Sequence, residues 1–181
     1  MTTGQSPAVT IVAPRPSVGR RIAGVVLVAL CAVAVDVISK LWARRELADA
    51  PVPLGPLELR LGFNSGVAFG IGAGAPGWLV LTVTGLILAV LLLAALRLRP
   101  SPAAGLVVGG GVANLADRAA DGTVTDFLSL GWWPTFNLAD AALVIGVLWI
   151  AVHAWRADAR RERTDPTEEP GLTGSRRTPR I

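Results

Sequence analysis

The sequence predicts an all-α membrane protein of four transmembrane helices with a small extracytoplasmic β-sheet, and three observations predict it. Of 181 residues, 52% are apolar and 17% charged, whereas a soluble domain carries about a quarter charged residues. The apolar residues gather in four blocks instead of amphipathic stripes, so lipid is the natural solvent of most of the chain. Sixteen of the seventeen basic residues are Arg, scattered at the ends of those blocks, which suits membrane orientation better than nucleic-acid binding. The composition also narrows the chemistry. A single cysteine, Cys31, excludes an internal disulfide and Cys-rich metal sites, and a single histidine, His153, leaves a multi-His site without ligands. Neither a metal nor any other cofactor is expected.

Residues 1–20 are a basic cytoplasmic segment with Arg15 and Arg20, and the first apolar block covers 22–42. A cleavable signal peptide is the rival there, because Ala32-Val33-Ala34 resembles a cleavage site. The helical pattern continues past it through Asp36, Lys40 and Trp42, and three further blocks follow. Val28-Ala29-Leu30-Cys31 has Leu30 where a lipoprotein cleavage box wants a small residue, so Cys31 is read as helix packing. Residues 50–77 are rich in Pro and Gly and alternate apolar and polar at Leu57-Glu58-Leu59-Arg60-Leu61, which predicts short strands and turns. The second block, 78–96, has 19 residues and spans about 28 Å at about 1.5 Å per residue, close to a hydrocarbon core. The third, 103–117, carries Gly105, Gly109 and Ala113 at four-residue spacing, a face that admits another helix closely. A strand-like Val124-Thr125-Asp126-Phe127 follows the turn signal Asp121-Gly122, and the fourth block is 138–155. Residues 21–156 thus form the membrane domain and 157–181 a disordered cytoplasmic tail with Pro166, Pro170 and Pro179. Arg15, Arg20 and Arg21, then Arg97 and Arg99, then Arg156, Arg160, Arg161 and Arg163 mark one side. The positive-inside rule therefore puts both termini in the cytoplasm.

Acidic residues at span ends need a reason, since a charge at the bilayer centre costs at least about 2.5 to 3.5 kcal/mol. Asp36 and Lys40 are spaced i,i+4, and the plainer reading is a local ion pair that stabilises a helix end. Asn114 and Asp117 share a face by i,i+3 spacing, with Arg118 able to neutralise the acid, and Asn137 and Asp140 repeat the spacing at the start of the fourth block. If the third and fourth spans run antiparallel, these four residues meet at one depth, with Asp126 in the connector between them. Carboxyls brought together cannot both ionise easily, so one keeps a proton and donates while the other activates water. Polar glue between helices is equally compatible with the spacing.

Five motifs stand in order: Asp36-Val-Ile-Ser-Lys40; Phe63-Asn64-Ser-Gly66-Val-Ala68-Phe69-Gly70; Gly109-Gly-Gly-Val-Ala-Asn114-Leu-Ala-Asp117-Arg118; Val124-Thr-Asp126-Phe127; and Phe136-Asn137-Leu-Ala-Asp140. In order and spacing, over about residues 20 to 155, the chain resembles the bacterial lipoprotein signal peptidases (signal peptidase II). The resemblance implies an intramembrane aspartic peptidase that removes the signal peptide of diacylglyceryl-modified prolipoproteins just before the lipidated Cys. Its catalytic pair falls on Asp126 and Asp140. Asn64, Asn114, Arg118 and Asn137 match residues that hold substrate or orient the pair, Asp117 a supporting acid, and Asp36 and Lys40 a polar pair near the outer end of span one. The sequence departs from the family pattern at Val37, Ser39 and Val67, and its connector of eight residues between Phe127 and Phe136 is compact.

The expected protein is a monomer in the bacterial cytoplasmic membrane, with its site on the outer face. Its partners are lipid-modified prolipoproteins and membrane lipids, with no nucleic acid. The alternative is a small proton-coupled transporter, which would carry polar groups through the depth of several spans.

Overall fold

The structure is a computed structural model that describes residues 17–66, 74–97 and 101–164. Arg15, Arg99, the 67–70 half of the second motif and the tail from 165 onward lie outside the described residues. Four helices and three strands follow one another as α1 (Val18–Glu46), β1 (Val52–Leu54), β2 (Leu57–Asn64), α2 (Gly77–Arg97), α3 (Pro102–Asp121), β3 (Val124–Ser129) and α4 (Leu138–Thr164).

Several helix ends have a local cause. Ser17 accepts a hydrogen bond from the Arg20 N–H at the start of α1, and Pro102 opens α3, where its missing N–H costs nothing. Gly122, at a φ of 73°, closes α3 by donating its N–H to the Arg118 carbonyl. The fourth helix runs to Thr164, past the boundary expected at 156. Residues 157–164, Ala-Asp-Ala-Arg-Arg-Glu-Arg-Thr, are mostly strong helix formers.

The third helix is the hub, packed against α1, α2 and α4. Its glycines permit this on several sides. A Cβ on Gly105 would stand 2.7 Å from the Val25 carbonyl of α1, and one on Gly109 would stand 2.6 Å from that of Ala29. Gly110 abuts the Ala139 carbonyl of α4, and Gly111 abuts Leu88 of α2. The small-residue face expected from the four-residue spacing thus meets α1, and the adjacent glycines bring in two more helices.

The polarity of this bundle is inverted relative to a soluble protein. Asp36, Asn137 and Asp126 are at most 1% exposed, whereas Leu27, Leu30, Val90 and Leu148 are 58–64% exposed. Water would not tolerate so much contiguous apolar surface. Two helices, Val18–Glu46 and the stretch Leu138–Arg160, are long and apolar enough to cross a bilayer, and Gly77–Leu93 is a shorter apolar helix. The third helix owes its lower hydropathy to its place inside the bundle, where Gly and polar residues face other helices and not lipid.

The sheet is antiparallel in the order β1-β2-β3. Leu54 pairs with Leu57 across a two-residue turn, where Gly55 takes a φ of 76° that other residues adopt at a cost. A register shift between Leu59 and Gly62 brings Gly62 opposite Asp126, Phe63 opposite Thr125 and Asn64 opposite Val124. The sheet is anchored by Phe127, buried with Ala43 and Leu47 of the α1 end and flanked by Leu59, Leu61, Leu128 and Leu138. No outer helix forms between Phe127 and Phe136; Phe136 instead bridges back to Leu128. The ends of α1 and α3, the start of α4 and the sheet therefore share one end of the molecule.

Candidate active site

The start of α4 is the keystone of the site. Asn137 precedes the helix, and its Oδ1 accepts the Asp140 N–H at 2.9 Å while Asp140 Oδ2 accepts the Asn137 N–H at 3.2 Å. This reciprocal arrangement is a capping box, in which each residue satisfies a backbone donor left open by the helix start. Because Asn137 Oδ1 is committed, its amide nitrogen must face outward, and it donates to Asp126 Oδ1 at 2.7 Å. One asparagine thereby ties the carboxylate of β3 to the carboxylate of α4.

The other Asp140 oxygen accepts from Asn114 Nδ2 at 2.7 Å, and Asn114 Oδ1 accepts from Lys40 Nζ at 2.9 Å. Lys40 is ion-paired with Asp36 at 2.7 Å and with Asp117 at 3.3 Å. Asp36 in turn accepts the Ala139 N–H at 2.8 Å, so a buried carboxylate of α1 sits at the positive end of α4. The pair expected as a local helix-end contact is therefore the joint between three helices.

Asp117 contradicts one expectation. Its ion-pair partners are Lys40 and Arg44, the latter at 2.9 Å. Arg118 forms no ion pair with it; its guanidinium donates to the Gly66 carbonyl and to Thr84 of α2. Adjacent residues on a helix point about 100° apart, so Arg118 turns into the bundle while Asp117 faces α1.

Asn64 accepts the Gly66 N–H at 2.9 Å and hydrogen-bonds Asp126. Burial pushes the Asp126 carboxyl up to about 6, and the nearby Asp140 charge adds to the effect, against the hydrogen bonds from Asn137 and Asn64 and the charge of Lys40. Asp126 can thus hold a proton at near-neutral pH beside a second carboxylate.

Both carboxylates line a cavity of about 560 Å³ between α2, α3, α4 and the sheet. Its polar lining includes Asn64, Thr84, Asn114 and Arg118, and its apolar walls include Ile87, Leu88, Leu91, Leu143 and Val144, with Trp132 and Trp133 beside them. The structure gathers all nine site residues expected from the sequence into one connected network at this end. Three participants were not anticipated: Arg44, Thr125 and Thr84. Arg44 had a legible signal, since Asp36, Lys40 and Arg44 continue one helix face at four-residue spacing. Thr84 had none beyond being polar in an apolar helix.

A lipid-suited helical bundle that presents two linked carboxylates to an apolar cavity has the form of a membrane-embedded aspartic peptidase. Comparison with known proteins specifies the family. The family model for signal peptidase (SPase) II matches residues 28–156. The chain is 36% identical over 141 residues to the lipoprotein signal peptidase of Syntrophomonas wolfei, which covers 74% of this chain and 94% of the relative. It is 32% identical over 173 residues to that of Mycobacterium avium, which covers 87% and 95%. Its fold is similar to that of a bacterial membrane enzyme solved by the in meso method, with a TM-score of 0.65 and 25% identity, covering 80% of this chain and 94% of that one. The chain belongs to the signal peptidase II family, whose members are aspartic peptidases embedded in bacterial membranes.

Proposed function

We propose that the chain removes the signal peptide from diacylglyceryl-modified prolipoproteins by cleaving before the lipidated Cys, with Asp126 and Asp140 as the catalytic pair. The observation that carries this reading is the Asn137 side chain, which hydrogen-bonds the Asp126 carboxylate and the Asp140 backbone at the wall of one cavity. In the reaction, the ionised member of the pair takes a proton from water as the water oxygen attacks the scissile carbonyl. The protonated member donates toward the developing oxyanion, and collapse of the tetrahedral intermediate passes a proton to the leaving amine. The two carboxyls titrate as a unit. Arg118 is buried, and its Nε has no hydrogen-bond partner among the described residues, which leaves a donor for a substrate carbonyl. The apolar walls suit a signal helix and acyl chains.

Residues 21–156 form the peptidase domain, crossing the cytoplasmic membrane four times as a monomer surrounded by lipid. Both termini are cytoplasmic, the site lies at the outer face and 157–181 stand outside the catalytic unit. A proton-coupled transporter fits less well. The buried polar residues Asp36, Lys40, Asn114, Arg118, Thr125, Asp126, Ser129 and Asn137 gather at one end and form no relay through the bundle.

Purified protein in detergent should cleave a lipid-modified prolipoprotein and leave its unlipidated form intact. Cleavage of both forms at equal rates, or of neither, would overturn the substrate reading.

A further inference from the structure

We propose that Arg44 is a positioning residue for Asp126, acting through Thr125 and Asp117; this rests on the reading of Asp126 as catalytic. Arg44 lies in the last turn of α1, away from the cavity lining. Its Nε and Nη2 both donate to Thr125 Oγ1, at 2.9 and 2.6 Å. The same Nη2 meets Asp117 Oδ1 at 2.9 Å and Asp121 Oδ2 at 2.7 Å. The second Asp117 oxygen accepts the Thr125 N–H at 2.7 Å. Thr125 is thus gripped at its hydroxyl by Arg44 and at its backbone by an aspartate that Arg44 also holds.

The strand geometry gives this grip its consequence. Successive side chains of a strand point to opposite faces, so Thr125 faces α1 while Asp126 faces the cavity. Thr125 is fully buried, and its cross-strand partner is Phe63, over whose ring the Arg44 guanidinium also lies, 6.0 Å from the centroid. Asp121 is the last residue of α3, and only Gly122 and Thr123 separate it from β3. Arg44 therefore clamps the end of α3 to the start of β3 across that turn and fixes the rotation of β3 about its axis. Releasing the clamp lets β3 roll, which carries Asp126 away from Asn137 and Asp140 without altering the substrate-facing walls. A lysine cannot replace it, because a point charge lacks the planar fork that reaches Thr125 with two nitrogens.

The test is steady-state cleavage of lipid-modified prolipoprotein, per mole of folded full-length protein, by Arg44→Ala, Arg44→Lys, Thr125→Val and Thr125→Ser. Arg44→Ala, Arg44→Lys and Thr125→Val should each lower kcat about 10- to 100-fold, the scale of a roughly 1 Å misplacement, with KM changed by less than about threefold. Thr125→Ser keeps the acceptor and should retain most of kcat. The Arg44→Ala/Thr125→Val double variant should lose no more than the worse single variant, because both remove one contact. A merely structural role would lower the amount of folded protein and leave kcat per folded molecule near the parent value. Normal kcat in the three clamp variants, or fully additive losses in the double variant, would overturn the proposal. Should Arg44→Ala fail to accumulate, the near-isosteric Thr125→Val and its Thr125→Ser rescue decide the matter alone. Asp126→Asn run in parallel separates the two readings: an active Asp126→Asn sinks the catalytic assignment, whereas an inactive one beside fully active clamp variants sinks only the positioning role.

Discussion

Asp126 is fully buried and Asp117 partly so, and their neighbours set them apart. Asp117 holds two cations and a backbone N–H, which suits a structural role. Asp126 has amide partners in Asn137 and Asn64, and burial raises its carboxyl to about 6. The sign of the pH dependence follows. From the ordinary range near pH 4 up to about 6, the folded protein binds more protons at this site than the unfolded chain, so stability falls as pH rises through that window. Above about 6 the folded state carries the full cost of an ionised Asp126. Asp126→Asn keeps the acceptor for Asn137 and never ionises. It should abolish cleavage yet melt above the parent at pH 8, and the difference should vanish by pH 4. Thermal unfolding in detergent at the two pH values measures this, and a variant that melts several degrees below the parent at pH 8 would contradict it. Asp117→Asn should do the opposite, losing about 1 to 3 kcal/mol of stability by stripping a buried network of its charge, while the protein that remains folded still turns over.

At the scale of elements, glycine placement makes the site possible, because the third helix can bring Asn114 to Asp140 only if it lies close against α4. The Ala139 carbonyl occupies the place a Gly110 side chain would take, and Ala139 itself is held by Asp36. Gly110→Ala must therefore part α3 from α4 and stretch the Asn114 contact, lowering both thermal stability and activity. Gly85 of α2 has nothing within 4 Å of its would-be Cβ, so Gly85→Ala should stabilise by up to about 1 kcal/mol through helix propensity alone. Comparable melting points for the two variants would refute this account of the packing. The contrast also marks what was legible beforehand. The Gly105-Gly109 spacing announced a close helix contact, and the Asn-x-x-Asp spacing at Asn137 and Asp140 announced a shared face. The sequence could not reveal that this second motif is a capping box, since that depends on where the helix begins. Nor could it reveal that Arg44, and not Arg118, serves Asp117, because helical phase between distant elements is decided by packing. Helix also covers residues 157–164, whose composition is as compatible with helix as with a solvated tail.

Across the whole molecule, the buried polar network and a group of arginines outside it occupy opposite ends. The buried network sits where α1 and α3 end and α4 begins, beside the sheet. Arg20 and Arg21 stand at the start of α1, Arg97 at the close of α2, and Arg156 and Arg160 in the last turns of α4. Trp42, Trp78 and Trp132 are exposed at the site end and Trp155 at the other, as belts at two interfaces require. At about 1.5 Å per residue, the 21 residues of α2 and the 20 of α3 reach about 30 Å, one hydrocarbon thickness. In the proposed four-span arrangement the third helix, despite its polar residues, would be shielded from lipid by the helices packed around it. A four-span arrangement with the Arg-rich end inside puts the site at the outer leaflet, where a secreted, lipid-modified chain would present its cleavage point. Reporter fusions after Arg99 and after Thr164 should therefore read cytoplasmic, and one after Ala50 extracytoplasmic. Truncation after Thr164 should leave insertion and cleavage near the parent level, since every site residue lies before it. A cytoplasmic reading after Ala50 together with an extracytoplasmic one after Arg99 would invert the molecule and strand the carboxylate pair on the wrong side. An extracytoplasmic reading after Thr164 alone would mean that one of α3 and α4 does not cross, which would overturn the four-span count.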